Sequence, residues 1–542
     1  MAFIYSDLIP KTFVCLKEGY NKKTFFSDLF AGMSVGVIAL PLSLAFAIAS
    51  GLTPEKGLFT AIIAGFLISL LGGSRVQIGG PAGAFVVIVY GIVQEFGYDG
   101  LLIATMLAAV MLIIMGLARF GVLLKFIPYP VTTGFTTGIA ITILVSQIKD
   151  FFGLEIDKVP PQFVEKCNLF CQMAHTFNFS ALGVAVGTLL LIVVLRRVMP
   201  KFPGAIFAVV IATLVVLLFQ LPVETIQSKF GSIPRLPPLP SLPEFSLEKI
   251  KAVFPSAITL ALLGAIESLL CAVVADGMTG QRHRPNCELI AQGVANMGAC
   301  IFGGMPATGT IARTSANIRL GARTPFAGMI HSITLLLIIV AFAPLAAMIP
   351  LAALAGVLVF VAWNMMELSH FVEIMRGHKG DALVLLTTFF LTILIDLSVA
   401  VQIGVLMAAV IFLKRMTDKT TVQICQELVK ENRDETPEHS APAVKIPSDV
   451  VVFEINGPFF YSVADLLDEA LRRLDKQPRT FILRVDKMPL IDATGLYALK
   501  KFAGKCKAHD IHFLVTGVTP HLLEQFNQAN VTKAIGRENI SR

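Results

Sequence analysis

The stretch 325–366 contains no Asp, Glu, Lys or Arg. A helix needs only about 20 apolar residues to cross a bilayer, so this stretch has room for two spans. It has company. Stretches with few or no charges run at 29–54, 57–74, 76–94, 100–118, 131–148, 180–195 and 204–221, then at 252–266, 285–303, 305–312, 382–395 and 397–413. Charged residues are 15% of the chain and apolar ones 55%, where soluble domains carry about 25% charged residues. No globular core hides that much apolar surface, which excludes a soluble protein of several domains. The expectation is an all-α polytopic membrane protein of about fourteen segments.

Loop charges set the expected orientation. One series of loops carries Arg75, Arg119 with Lys125, Arg196 with Arg197 and Lys201, Arg282 with Arg284, Arg319 with Arg323, Arg376 with Lys379, and Lys414 with Arg415. The alternate loops hold balanced or acidic pairs such as Glu55 with Lys56 and Glu95 with Asp99. Lys and Arg concentrate on the cytoplasmic side, so both termini are expected in the cytoplasm of a multi-pass inner-membrane protein. Residues 1–28 read as a cytoplasmic N-terminal segment. The net charge of +7 is scattered, unlike the basic stripe of a nucleic-acid partner. The eight cysteines lack metal-ligand spacing, and no GxxxxGK[ST] phosphate loop is present. Neither a metal, a cofactor nor an enzyme activity is expected.

The Pro-rich stretch IPRLPPLPSLP (Ile233–Pro243) divides the membrane part, 29–418, into repeats of about 29–222 and 252–416. Each contains one segment broken by Gly and Pro: GGSRVQIGGPAGAFVV (Gly72–Val87) and GGMPATGTIARTSAN (Gly303–Asn317). Broken helices at matching places in two halves are a sequence pointer to a transporter's binding site. With seven segments per half, the repeat is inverted and two half-helices point their N-termini at each other. A helix N-terminus offers unpaired N–H donors and about half a positive charge, so two of them make an anion site. Gly83 and Gly309 would let a ligand approach the backbone. Arg313, one turn into the second half-helix, is expected to add its charge inside a water-accessible cavity. Glu267, in LLGAIESLLCAVV, is expected to be the one carboxylate deep inside a span near that site. Such a group is a functional candidate, able to carry a proton or bind a cation.

After Lys414 the composition changes. Residues 419–447 read as a linker, and 448–542 as a small α/β domain. Its expected strands are 450–455, 480–485 and 511–518, and its expected helices 463–475, 494–506 and one starting near Pro520. It has no phosphate loop, and a regulatory or oligomerising role is expected.

Several passages resemble one family. They are ALPLSLAFAIASGL (Ala39–Leu52), the two broken segments, GAIESLLCAVVADGMTGQRHRPNCELIAQGVAN (Gly264–Asn296), PATGTIARTSAN (Pro306–Asn317) and LIDATGL (Leu490–Leu496). With these the chain resembles the sulfate permease (SulP) family of anion transporters with a C-terminal STAS domain. Within that family it is similar to the bacterial branch that includes proton-coupled four-carbon dicarboxylate transporters. The resemblance implies a seven-plus-seven inverted repeat in which a core domain moves against a gate domain. The implied substrate is a small anion: sulfate, bicarbonate or a dicarboxylate. Its site would use Leu42 and Phe46 on the first span, Pro81, Ala82, Gly83 and Ala84 at the first half-helix, and Gly309, Thr310, Ile311 and Arg313 at the second. Glu267 falls where bacterial members place an acidic residue, and glutamate there implies coupling to protons rather than sodium. Leu42 stands where many animal members have glutamine, and Ala312 where some have serine, so the pocket is less polar than theirs. Thr494 occupies the position phosphorylated as serine in anti-sigma-factor antagonists. A homodimer in the lipid bilayer and a cytoplasmic partner for the STAS domain complete the implication. The rival readings are a nucleobase–proton symporter of the same fold and a membrane sensor or scaffold signalling through its STAS domain.

Overall fold

The computed structural model describes residues 6–122, 128–156, 158–199, 204–395, 397–419, 421–425, 427–428, 444–447, 449–460 and 478–541. They fall into two compact units, Met1–Leu406 and Met407–Arg542. The principal helices are α1 (Lys22–Ala49), α2 (Pro54–Leu71), α3 (Gly83–Leu117), α4 (Tyr129–Ser146), α5 (Phe179–Val198), α6 (Gly204–Phe219) and α7 (Leu247–Thr279). They continue as α8 (Pro285–Ile301), α9 (Ile311–Arg319), α10 (Phe326–Ala347), α11 (Leu351–Met365), α12 (Lys379–Leu394) and α13 (Leu397–Lys419). The long uncharged stretch thus divides into α10 and α11. Among the described residues nine helices are long and apolar enough to cross a membrane. That number counts α3 once, although Gly97 breaks it with φ 71° and ψ −175°, a conformation open to glycine. It also leaves out α6, α8, α9 and α12, none longer than 17 residues.

The helices sort into two bundles by their packing. In one, α7 and α8 lie on α3, α8 and α10 lie on α2, and α10 also lies on α1. In the other, α12 packs on α4, and α11 and α6 on α5. Small residues let backbones approach, as is usual between membrane helices: a methyl on Gly134 of α4 would stand 2.7 Å from the Leu385 carbonyl of α12. The long helices of the first bundle are largely buried: in α1, α2, α3 and α7 about two thirds of the apolar window is covered. By contrast α5 has 28% of its window covered and the Val399–Met416 part of α13 has 11%. These helices present Leu190, Val194, Leu406 and Phe412 outward, a pattern suited to lipid.

The first unit holds one two-residue ladder, β1 (Gly79–Gly80) with β2 (Thr308–Gly309), and the second unit holds a four-stranded sheet of β3 (Thr421–Cys425), β4 (Val450–Asn456), β5 (Thr480–Arg484) and β6 (His512–Thr516), in that order. The last three strands are parallel and β3 is an antiparallel edge. That edge strand lies within the stretch expected as a linker. Helices α14 (Ala493–Ala508) and α15 (Pro520–Gln528) cover the sheet, and Phe453, Phe481, Phe502 and Phe513 form its aromatic core, the first two stacked at 4.9 Å. The helix expected at 463–475 lies outside the described residues.

Candidate functional site

The two broken segments cross each other inside the first bundle. β1 (Gly79–Gly80) and β2 (Thr308–Gly309) form a two-residue antiparallel ladder, pairing Gly79 with Gly309 and Gly80 with Thr308. Side chains of one repeat then finish the backbone bonding of the other. The Ile78 N–H donates to Thr314 Oγ1 at 2.9 Å, and the Ile78 carbonyl accepts from both the N–H and the hydroxyl of Thr310. Asn317 donates to the Val76 carbonyl at 2.9 Å. Within the second repeat, the Asn296 amide both donates to and accepts from the backbone of Ala307. Non-helical backbone inside a membrane protein is tolerated where the protein supplies such partners.

From the ladder each chain turns into a helix. α3 starts at Gly83 behind Ala82, and α9 at Ile311 behind Thr310, and no side chain caps either N-terminus. Their first-turn donors and dipole ends are what an anion needs. Gly83 lies at the seam of the two bundles: a methyl there would meet Met365 Sδ at 3.1 Å, Phe46 at 3.4 Å and Ile143 at 3.5 Å. Phe46 belongs to the first bundle, whereas Ile143 on α4 and Met365 on α11 belong to the second. Of the residues predicted for the site, Leu42, Phe46, Pro81, Ala82, Gly83, Ala84, Gly309, Thr310 and Arg313 are all buried, while Ile311 is 39% exposed. Thr494 belongs to the second unit and is exposed in the first turn of α14.

Two expectations need correction. Arg313, expected in a water-accessible cavity, is 2% exposed. Its Nη2 donates to the Pro81 carbonyl across the crossing, and its Nη1 has no hydrogen-bond partner among the described residues. Arg313 lies with Thr314 and Asn317 on the buried face of α9, which leaves the arginine no route to the surface. Its free donor edge remains inside the protein beside Gly80, where an added methyl would be 2.9 Å from Nη1.

Nor is Glu267 the one buried carboxylate. It is half-buried on α7. It shares a face with Gly264 and Cys271, by the three- and four-residue spacing of a helix, and Gly264 accepts from Thr308 and Cys271 donates to Thr314. Glu288 on α8 is fully buried. It accepts from the Gly73 N–H, the Ser268 hydroxyl and the Gln292 amide, each at 2.9 Å. Ser268 in turn accepts from Gln77 at 3.0 Å, so a polar chain runs from the first crossing through α7 to α8. Asp28 is also fully buried, accepting from Tyr20 and from Arg323 and Thr324 in the turn before α10. In the sequence Glu288 sits in the first turn after Pro285, the ordinary place for an exposed acidic residue at a helix start, so no local signal marked it.

A helix N-terminus at the seam between two membrane bundles, tied by a backbone ladder to a second uncapped one, is suited to holding a small anion. The profile of the sulfate permease family matches residues 25–388, that of the STAS domain matches 441–541, and the chain belongs to the sulfate permease family, whose members are transporters and not enzymes. YvdB of Bacillus subtilis (strain 168) is 41% identical over 525 residues, 96% of this chain and 97% of that protein. The bicarbonate transporter BicA of Picosynechococcus sp. is 30% identical over 452 residues, 81% of this chain and 79% of its own. The structure of the murine Solute Carrier 26 family member A9 anion transporter in the inward-facing state shares the fold, with a TM-score of 0.87 over 99% of this chain and 93% of that one at 18% identity.

Proposed function

We propose that this protein is a secondary active transporter carrying sulfate, bicarbonate or a dicarboxylate by alternating access, coupled to protons through Glu267. The observation that carries the reading is the position of Gly83, an uncapped helix start whose neighbours come from both bundles. The anion accepts hydrogen bonds from the N–H groups at the starts of α3 and α9, with the Arg313 Nη1 edge beside Gly80 adding positive charge. Because the β1–β2 ladder ties both helix starts together, the site moves as one piece with the first bundle, and sliding against Ile143 and Met365 opens it to alternate sides. Protonation of Glu267 neutralises a negative charge on the helix that flanks the crossing and so favours anion entry. Sulfate is favoured by the family, and bicarbonate by the name of the BicA relative. In this reading α3 supplies two segments and the repeats have seven each, with both termini in the cytoplasm and the chain a homodimer in the inner membrane.

Uptake into proteoliposomes tests it with labelled sulfate, bicarbonate and succinate, with and without an acidic exterior. The expected result is accumulation of one anion driven by the proton gradient and not by sodium. Uptake of labelled uracil with no anion uptake would instead support a nucleobase symporter.

A further inference from the structure

Away from the crossing, a crevice of about 620 Å³ opens between α5 and α11. Its walls are Leu189, Leu190, Val193, Val359 and Phe360, and one end is closed by Arg196, Arg197, Trp363 and Asn364. The volume lies within the roughly 300–1,000 Å³ of small-molecule sites. The walls face outward from helices that cross the membrane, with Leu190 58% and Trp363 61% exposed. We infer that this crevice binds an anionic phospholipid, whose phosphate is held by Arg196 and Arg197 while one acyl chain lies along the apolar walls.

The two ends of the crevice differ as the two ends of a lipid do. From Leu189 to Arg197 is eight residues of helix, about 12 Å at 1.5 Å per residue, close to the ~15 Å depth of one leaflet's hydrocarbon. The arginines occupy the last turn of α5, where cations also complement the helix dipole. No carboxylate pairs with either of them among the described residues. Arg196 is held in place by a 2.7 Å bond to Asn364 and by the Phe360 ring, 5.4 Å from its guanidinium carbon. That leaves the rest of its donor fork and all of Arg197 for a phosphate, which a guanidinium binds with two parallel bonds. Trp363 has the amphipathic ring that marks the interface between headgroups and hydrocarbon. Juxtamembrane arginines attract anionic lipids over neutral ones, so charge complementarity selects the occupant.

Trp363 is the single tryptophan of the chain, which makes the site report on itself. The full-length protein is reconstituted in phosphatidylcholine vesicles containing brominated phosphatidylglycerol or, at equal mole fraction, brominated phosphatidylcholine, and tryptophan quenching is measured. Brominated phosphatidylglycerol should quench with at least about threefold higher apparent affinity. R196Q/R197Q should abolish the difference, R196K/R197K should retain most of it, and excess inorganic phosphate should leave it unchanged. Both arginines are exposed, and an unaltered size-exclusion profile shows that the variants are folded. Equal quenching by the two lipids overturns the proposal, as does a preference that survives R196Q/R197Q. Weak quenching by both lipids overturns it in favour of a second copy of the chain covering the crevice. Loss of the preference in phosphate overturns it in favour of a site for free anions.

Discussion

The Ser268 hydroxyl donates to Glu288 across 2.9 Å, one residue after Glu267 on the same helix. The bond joins α7 to α8, and Gln77 of the first crossing donates to the same hydroxyl. Three elements therefore meet at a single oxygen, next to the residue proposed to carry the proton.

Glu288→Gln should destabilise the protein without touching the anion. The carboxylate accepts three bonds, and an amide replaces one acceptor with a donor that faces other donors. A buried unsatisfied group costs about 1–3 kcal/mol. Thermal unfolding in detergent should shift down by several degrees, with the KM of the folded fraction unchanged. An unshifted transition would mean that the three bonds contribute nothing.

Gly309→Ala should abolish transport, because the new methyl would overlap the Gln77 amide. Gln77→Ala removes that obstacle, so the double variant should recover part of the stability lost by Gly309→Ala. Recovery is read as a positive coupling energy in a double-mutant cycle of unfolding midpoints. Strict additivity would show that the two residues do not press on each other.

Arg313→Ala should raise the KM for the anion about tenfold or more, since hydrogen bonds to charged groups contribute about 1.5–3 kcal/mol. It also leaves the Pro81 carbonyl without its donor, so some stability is lost as well. Arg313→Lys keeps the charge but not the forked geometry and should fall between the two. Normal affinity in a folded Arg313→Ala protein would remove the arginine from the site.

Glu267→Gln mimics the protonated carboxyl permanently. Exchange of internal for external labelled anion should persist, while accumulation driven by an acidic exterior should be lost. If the variant still concentrates the anion against its gradient, the proton travels elsewhere.

The twin Gly- and Pro-rich segments were legible because broken helices need small residues and prolines locally, whatever surrounds them. Their meeting as a two-residue ladder was not legible, since the register of Gly79 with Gly309 is set by how the two repeats pack. The other bundle's share of the seam was not legible. Ile143 and Met365 are ordinary apolar residues in apolar helices, and only the packing of α4 and α11 brings them to Gly83. Glu288 was hidden for the opposite reason, since its place after Pro285 matches an exposed helix start. The edge strand Thr421–Cys425 was missed because it follows directly on α13 and gains its identity from pairing with β4.

The crossing also has a consequence for synthesis. Ile78 waits for the hydroxyl of Thr314, 236 residues later. At about 5–20 residues per second a ribosome needs roughly 10–50 s to deliver it. During that interval the first broken segment is already synthesised, yet the carbonyls and amides that bond to the second repeat have no partners, and lipid supplies none. The nascent first repeat must therefore be sheltered by the insertion machinery or by trapped water until the second repeat arrives.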